Sequence, residues 1–268
     1  MKESLSSTKA GFRMFTTEPI KEDVFQRQSK IPGFSQKALK SAIITLVGAG
    51  GLGGEYGEGL VRKGAGKIRI LDADNVEPSN LNRQLFFSKD LFKNKAVSLA
   101  ENLSQMGFGD TMITGYPYNF EEAVYLGVDL SSSAAIVGVD NDKCRVRAAE
   151  YFHEKNIPVV FTGVSEDGNS GYVFIQEAAD GAPCFGCLYP DSTREVKEGA
   201  SRSPCPNTPA IKDILKIMGG LVIFAVDTLL MERRREWNYR VLYLDGSVPS
   251  GESTIEQKPE CLICGKQE

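Results

Sequence analysis

The chain has 268 residues, of which 41% are hydrophobic and 25% charged, so it can bury a large core in one or two domains. Its formal net charge of -4 argues against a nucleic-acid backbone as the main partner. The first 24 residues are polar and lack the apolar core of a signal peptide. We therefore expect a polar tail over residues 1–24, a single domain over residues 25–268 and a cytoplasmic location.

Strands and helices alternate along the chain, as in an α/β protein. Residues 41–47 are apolar and end at a glycine, which indicates a buried parallel strand, and a helix and a strand at 67–71 complete a βαβ unit. Further segments follow in order: a helix from 95 towards 106, a strand at 134–139, a helix at 144–156, and strands at 159–161, 171–176 and 239–244. We expect a Rossmann-like mixed sheet flanked by helices and extended by antiparallel strands.

Two later segments have no strand pattern. Residues 211–231 are apolar, but Lys212, Asp213, Lys216 and Asp227 interrupt the run, so it predicts a buried helix and not a membrane span. Residues 192–209 are rich in serine, proline, arginine and glutamate and predict a surface loop.

Four cysteines stand in two pairs with C-x-x-C spacing, Cys184 with Cys187 and Cys261 with Cys264. Two such turns supply four thiolates to one tetrahedral zinc ion and leave no open coordination position. We expect a structural zinc site that pins the end of the chain to an earlier loop. Two disulfides or reduced thiols are the alternative.

A glycine-rich turn follows the first predicted strand. Gly48, Gly50 and Gly53 form G-x-G-x-x-G, in which backbone N–H groups and a helix N-terminus can approach a phosphate. Asp72 ends the next strand, where an acid can accept hydrogen bonds from ribose hydroxyls. The pattern indicates a nucleotide site, and a purely structural glycine turn is the alternative.

Charged residues beyond Asp72 decide which kind of nucleotide is expected. Arg83 and Lys95 add two cations near the same pocket, which a triphosphate requires and a dinucleotide does not. Asp140 ends a later strand, at the sheet edge where ligands bind, and an acid there suits Mg²⁺ bridging phosphate oxygens. Each charge alone could be a solvated surface residue.

Taken together, these motifs resemble the ubiquitin-activating-type adenylyltransferases, in particular the bacterial MoeB, ThiF and HesA group. The resemblance runs from Phe25 to Gly265. It rests on residues 25–28, 48–53, 72–74, 79–84, 95–96 and 140–141 and on both cysteine pairs. It implies ATP, Mg²⁺ and Zn²⁺ as cofactors and a homodimer as the assembly.

The resemblance also implies roles for individual residues. It assigns nucleotide binding to Gly48, Gly50, Gly51, Gly53, Asp72, Asp74, Ser79, Asn80, Arg83, Lys95, Asp140 and Asn141. Within this set, Arg83 and Lys95 would hold the triphosphate and Asp140 would coordinate Mg²⁺. Arg27 would reach into the partner subunit's pocket. Cys205 stands where some relatives form a covalent link to their carrier or to a sulfur donor and others have a dispensable cysteine, so an incidental loop thiol is the alternative.

The implied reaction is adenylation of the C-terminal glycine carboxylate of a small ubiquitin-like or sulfur-carrier protein ending in Gly-Gly, with release of pyrophosphate. A C-terminal carboxyl group ordinarily has a pKa of about 3.3–3.7 and is ionised at neutral pH, so the attack needs no general base. Adenylation of a peptide or a tRNA nucleoside, a nicotinamide-dependent oxidoreductase and a non-catalytic carrier-binding scaffold are the alternatives.

Overall fold

A single mixed sheet organises the molecule. The computed structural model describes residues 24–107, 110–199, 209–246 and 248–265. Within these residues, eight strands pair in the order β3-β2-β1-β4-β5-β6-β7-β8. Their bounds are β1 Ile43–Val47, β2 Lys67–Leu71, β3 Met112–Tyr116, β4 Ala134–Val137, β5 Val159–Val164, β6 Ser170–Gln176, β7 Tyr239–Tyr243 and β8 Gly251–Ser253.

Helices of varied length connect these strands. Their bounds are α1 Gln36–Ser41, α2 Gly51–Arg62, α3 Lys95–Ser104, α4 Phe120–Tyr125, α5 Asp142–Glu154, α6 Phe185–Leu188, α7 Pro190–Lys197 and α8 Lys212–Leu230. In the part of the chain that the structure describes, no helix is both long enough and apolar enough to cross a membrane.

The sheet has a parallel half and an antiparallel half. β1 pairs in parallel with β2 and β4, and β3 and β5 extend the parallel part on either side. β6, β7 and β8 then pair in antiparallel order beyond β5. This arrangement confirms the predicted mixed sheet with additional antiparallel strands.

Both faces of the sheet are covered, so its central strands are buried on two sides. Ile44 and Leu46 point into a core formed with α1, α2, α3 and α8. Val47 belongs to the opposite core, which α4, α5, α6 and α7 complete. Nearly continuous apolar runs are what such doubly covered strands require.

Some segments differ from the expectation drawn from the sequence. The loop expected over residues 192–209 is wrong at its start, because α7 continues to Lys197 and buries Thr193 and Val196 against the core. Residues 200–208, including Cys205, lie outside the described residues. The predicted helices at 144–156 and 211–231 are confirmed with shifted ends, as α5 and α8.

Candidate active site

The site expected from the sequence lies where the strand order reverses. From β1 the chain moves to β2 and β3 on one side and later to β4 and β5 on the other. Ligands of such sheets bind at this switch point, outside the carboxyl ends of the strands. Neighbouring strands lie about 4.8 Å apart, so the ends of β2, β1 and β4 fall within about 10 Å of one another.

The glycine turn between β1 and α2 is shaped by contacts that a side chain would prevent. Gly48 has a φ of 102°, in the region that favours glycine. A Cβ on Gly53 would lie 2.4 Å from the main-chain oxygen of Gly48, and one on Gly51 would lie 2.5 Å from Cδ1 of Leu215. A Cβ on Gly50 would meet nothing within 4 Å. The open side of the turn is therefore at Gly50, where α2 begins.

The start of α2 is suited to an anion. Gly50 precedes the helix and has no side chain with which to cap it. The first N–H groups of a helix have no partner within the helix, and its dipole makes this end partly positive. A phosphate at Gly50 would meet these amides.

Asp72 holds the glycine turn in place. Its Oδ2 accepts a hydrogen bond from the Ala49 amide at 2.8 Å, and its Oδ1 accepts one from the Asp74 amide at 2.9 Å. Burial raises the pKa of Asp72, and these two amides and the nearby Lys95 oppose the rise. The bond to Ala49 gives Asp72 a role in shaping the turn that the sequence pattern did not indicate.

Lys95 joins this edge through Asp74. Its ammonium lies 2.8 Å from Oδ2 of Asp74, and its side chain is 13% exposed. Asn94 caps α3 and donates to the main-chain oxygens of Asp72 and Asp74 at 2.9 and 3.1 Å. The structure thus brings together three predicted residues, Asp72, Asp74 and Lys95. Asn94, which connects them, was missed although it stands directly before Lys95.

Arg83 lies on a tight turn that packs against α2. Its guanidinium donates to the main-chain oxygen of Ser79 at 2.7 Å and to Oδ1 of Asn82 at 3.1 Å. Asn80 is buried and accepts a hydrogen bond from the Glu77 amide at 3.0 Å, which fixes the turn. Two predicted residues thus support the turn itself: Asn80 through its side chain, and Ser79 through the main-chain oxygen that accepts from Arg83.

Asp140 follows β4 at the same edge. The amide of Gly138, two residues earlier, donates to the main-chain oxygen of Val47 at 3.1 Å. Asp140 is exposed, and its neighbour Asn141 caps α5 by accepting from the Cys144 amide at 3.3 Å. The main chain therefore leaves β4 beside the end of β1, and Asp140 follows two residues after this contact.

Tyr56 is a buried polar residue beneath the glycine turn. Its hydroxyl has no hydrogen-bond partner among the described residues. A Cβ on Gly138 would lie 2.6 Å from this hydroxyl oxygen, and one on Gly53 3.8 Å from it. Burial raises the pKa of Tyr56, so it stays neutral. No sequence pattern marked this residue.

Arg27 is not brought to the glycine turn of its own chain. Gln28 donates to the main-chain oxygen of Lys63 at 2.8 Å, so Arg27 lies by the end of α2 that is remote from Gly50. The helix has 12 residues and is about 18 Å long. Arg27 is therefore distant from the glycine turn of its own chain. Cys205 lies outside the described residues.

The four paired cysteines form a compact cluster away from the sheet edge. Their sulfur atoms all lie within 4.8 Å of one another, and two pairs, Cys184–Cys261 and Cys187–Cys264, are 3.4 Å apart. Sulfurs bound to one tetrahedral zinc ion lie about 3.8 Å apart, whereas a disulfide needs about 2.05 Å. The four are free thiols, and this donor set fits zinc.

Neighbouring polar groups orient the cluster. The amide of Lys258 points to Sγ of Cys187 at 3.4 Å, and Gln257 donates to the main-chain oxygen of Cys264 at 2.6 Å. Buried Gln176 accepts from the Phe185 amide at 3.0 Å and donates to α5. Such supporting contacts are typical of a metal site.

The family of the chain follows from its comparison with known proteins. Residues 25–262 match the ThiF family, so the chain belongs to that family. By family it is an adenylyltransferase of the ubiquitin-activating type.

Two similar proteins illustrate the relationship. A sulfur carrier protein adenylyltransferase of Thermus thermophilus is 26% identical over 91% of this chain and 91% of its own length. Ubiquitin-like modifier-activating enzyme 5 of Drosophila grimshawi is 29% identical over 68% of this chain. The match spans only 50% of that enzyme's length.

A solved structure shares the fold. Escherichia coli MccB, crystallised with MccA-N7isoASN, superimposes with a TM-score of 0.71 at 19% identity. The superposition covers 86% of this chain and 69% of MccB. At this identity the likeness extends to the fold alone.

Proposed function

We propose that this protein uses ATP and Mg²⁺ to adenylate the C-terminal glycine carboxylate of a small ubiquitin-like or sulfur-carrier protein. The observation that carries the proposal is the grouping of the Gly50 end of α2, the Lys95–Asp74 pair and Asp140 at one sheet edge. Amides, a cation and an acid together match the needs of a metal-bound triphosphate. The names of relatives support the choice of a carrier protein as substrate.

The reaction requires positioning and charge neutralisation. A carboxylate oxygen of the carrier forms a bond to the α-phosphorus of ATP, the bond from that phosphorus to the bridging oxygen breaks, and pyrophosphate leaves with the electron pair. The carboxylate is already ionised, so no proton has to be removed. Lys95, Arg83 and the amides at Gly50 would balance the charge on the phosphates.

Asp140 is the residue proposed to hold Mg²⁺. Its carboxylate is exposed at the sheet edge, and oxygen atoms are the ligands that this ion prefers. The bound ion would supply charge neutralisation on the triphosphate. Asn141 uses its side-chain oxygen to cap α5, so we assign the ion to Asp140 and not to Asn141.

The test is pyrophosphate exchange into ATP, measured with a carrier protein ending in Gly-Gly. Asp140→Ala and Arg83→Ala should each lower the rate by at least about a hundredfold, the size of effect seen when an electrostatic stabiliser is deleted. Lys143→Ala is the matched control, since Lys143 is exposed on the first turn of α5. Near-normal exchange by Asp140→Ala would count against the proposal.

We also propose a homodimer in which Arg27 acts on the partner's site, because Arg27 is remote from the glycine turn of its own chain. Mixing Arg27→Ala chains with Asp140→Ala chains should restore activity that neither variant has alone. Mixed dimers then contain one site with both residues intact. Absence of recovery in a mixture that forms dimers would contradict this assignment.

Covalent transfer through Cys205 and a cytoplasmic location complete the proposal, with residues 1–24 as a tail and residues 25–268 as one ThiF-type domain. Thiol trapping of a carrier conjugate should be lost in Cys205→Ala and retained in Cys144→Ala. Cys144 is a suitable control because burial raises its pKa to about 12, which keeps its thiol protonated.

A further inference from the structure

Lys212, the first residue of α8, connects three segments around the glycine turn. Its ammonium forms an ion pair with Glu55 of α2. The same ammonium donates to the main-chain oxygen of Arg83 at 3.1 Å. One charged group therefore joins α8, the helix that begins at the glycine turn, and the turn that carries Arg83.

The contact with Arg83 is specific to Lys212. Glu55 is also paired with Lys216 at 3.7 Å, but the side chain of Lys216 is 62% exposed. The Glu55 side chain is only 8% exposed, so its charge must be paired. Glu55 thus fixes the ammonium of Lys212 in a position from which it reaches the Arg83 turn.

The three segments also pack closely, with little room to adjust. A Cβ on Gly51 would lie 2.5 Å from Cδ1 of Leu215 in α8, and one on Gly54 would lie 3.0 Å from Cβ of Leu85. Leu85 stands two residues after Arg83. The first turn of α2 therefore lies between α8 and the Arg83 turn, and Lys212 bridges the two across it.

The guanidinium of Arg83 does not by itself set the distance between its turn and α2. Its hydrogen bonds go to Ser79 and Asn82, which belong to the same turn. The position of Arg83 relative to the glycine amides then depends on contacts made by the main chain of the turn. The bond from Lys212 to the main-chain oxygen of Arg83 is such a contact.

We propose that Lys212 is a positioning residue for Arg83 and acts through it on the triphosphate. This inference rests on the proposed function, because it assumes that Arg83 binds the phosphates of ATP. Lys212 itself need not touch the nucleotide. The pair of Glu55 and Lys212 would hold Arg83 at a distance from which its guanidinium can contact a phosphate bound at Gly50.

The experiment is calorimetric titration of the full chain with Mg·ATP and, separately, with adenosine, which lacks phosphates. Lys212→Ala should weaken Mg·ATP binding about tenfold, the size carried by one charge-assisted hydrogen bond, and should change adenosine binding by less than about twofold. Lys212→Arg keeps the charge and should recover most of the affinity. Lys216→Ala is the matched control and should bind both ligands as the wild type does.

A double variant separates positioning from general damage. Because Lys212 is proposed to act through Arg83, adding Lys212→Ala to Arg83→Ala should produce no further loss of Mg·ATP affinity. Glu55→Gln should reproduce the effect of Lys212→Ala, since it releases the ammonium. If Lys212→Ala does not fold, Lys212→Met should be used in its place, because methionine retains the apolar part of the lysine side chain.

Three results would overturn the inference: wild-type Mg·ATP affinity in Lys212→Ala, an equal loss for adenosine, or additive losses in the double variant. Wild-type Mg·ATP affinity in Arg83→Ala is a different outcome. It would remove Arg83 from the nucleotide site and so contradict the proposed function, and with it the inference. Loss in Arg83→Ala without loss in Lys212→Ala would leave the proposed function intact and reject only the role of Lys212.

Discussion

Alanine substitutions at Gly50 and Gly53 should have different effects, although both residues belong to the same glycine motif. A Cβ at position 53 would lie 2.4 Å from the main-chain oxygen of Gly48. Either this Cβ or the oxygen of Gly48 must move by about 1 Å before the two atoms reach the 3.4 Å of an ordinary contact. Because the obstructing atom is main chain, the turn itself has to deform. At Gly50 the added Cβ meets nothing within 4 Å.

The magnitudes follow from this difference. Overpacking at Gly53 costs about 1–3 kcal/mol, of which the better helix propensity of alanine offsets up to about 1 kcal/mol. Gly50→Ala should lower the free energy of unfolding by about 1 kcal/mol or less, because alanine is a poorer N-cap residue than glycine but its Cβ meets no other atom. Its methyl group nevertheless fills the space through which a phosphate would approach. Losing one charge-assisted bond to the phosphate should weaken Mg·ATP binding at least about tenfold.

The assay combines chemical denaturation with calorimetric titration of Mg·ATP. Gly53→Ala should reduce both stability and binding, whereas Gly50→Ala should reduce binding with only a small loss of stability. Gly220→Ala in α8 is the matched control, because a Cβ there also meets nothing within 4 Å. It should leave binding unchanged. Gly50→Ala that binds Mg·ATP as tightly as the wild type would refute the placement of the phosphates at Gly50.

Three further predictions concern the cysteine cluster, a buried acid on α8 and the acid at the end of β2. Metal analysis should find one zinc ion per chain in the wild type and none in Cys264→Ser, which should also unfold at a lower temperature. Retention of zinc by Cys264→Ser would contradict the four-sulfur site. Asp227 is fully buried and pairs with Lys63 at 2.5 Å and Arg233 at 2.7 Å. Asp227→Ala should therefore lower the free energy of unfolding, measured with denaturant, by about 3–5 kcal/mol, and a loss below about 1 kcal/mol would contradict this. Burial raises the folded-state pKa of Asp72, so the contribution of this residue to stability should fall as pH rises through that pKa. The stability of the wild type relative to Asp72→Asn should therefore decrease from about pH 4 upward. A relative stability that increases with pH over that range would show that the sign is wrong.

The sequence was informative where local patterns determine structure. The apolar run of β1 followed by Gly48 predicted the first strand and turn, because a buried parallel strand needs apolar residues and a left-handed residue after it needs glycine. The C-x-x-C spacing predicted the sulfur cluster, because both cysteines of a pair are close in the chain. β3 was missed, since Met112 is exposed and Thr114 and Gly115 weaken the apolar signal of this edge strand.

Contacts between residues distant in sequence could not be predicted in the same way. The bond between Asp72 and the Ala49 amide depends on how β1 and β2 pair, and the charges of Glu55 and Lys212 meet only because α8 packs on α2. Arg27 was assigned to a partner's site by resemblance alone. Its place at the remote end of α2 is compatible with that assignment, and the assignment stays a prediction.

Transfer of an oxygen isotope tests the central chemistry most directly. A carrier protein ending in Gly-Gly would be labelled with ¹⁸O at its terminal carboxylate and incubated with this protein, Mg·ATP and hydroxylamine. Adenylation joins a carboxylate oxygen to the α-phosphorus, so the AMP released when hydroxylamine captures the acyl group should carry one ¹⁸O atom. If the labelled carrier instead yields AMP that contains no ¹⁸O, the carboxylate does not attack ATP, and the account is contradicted.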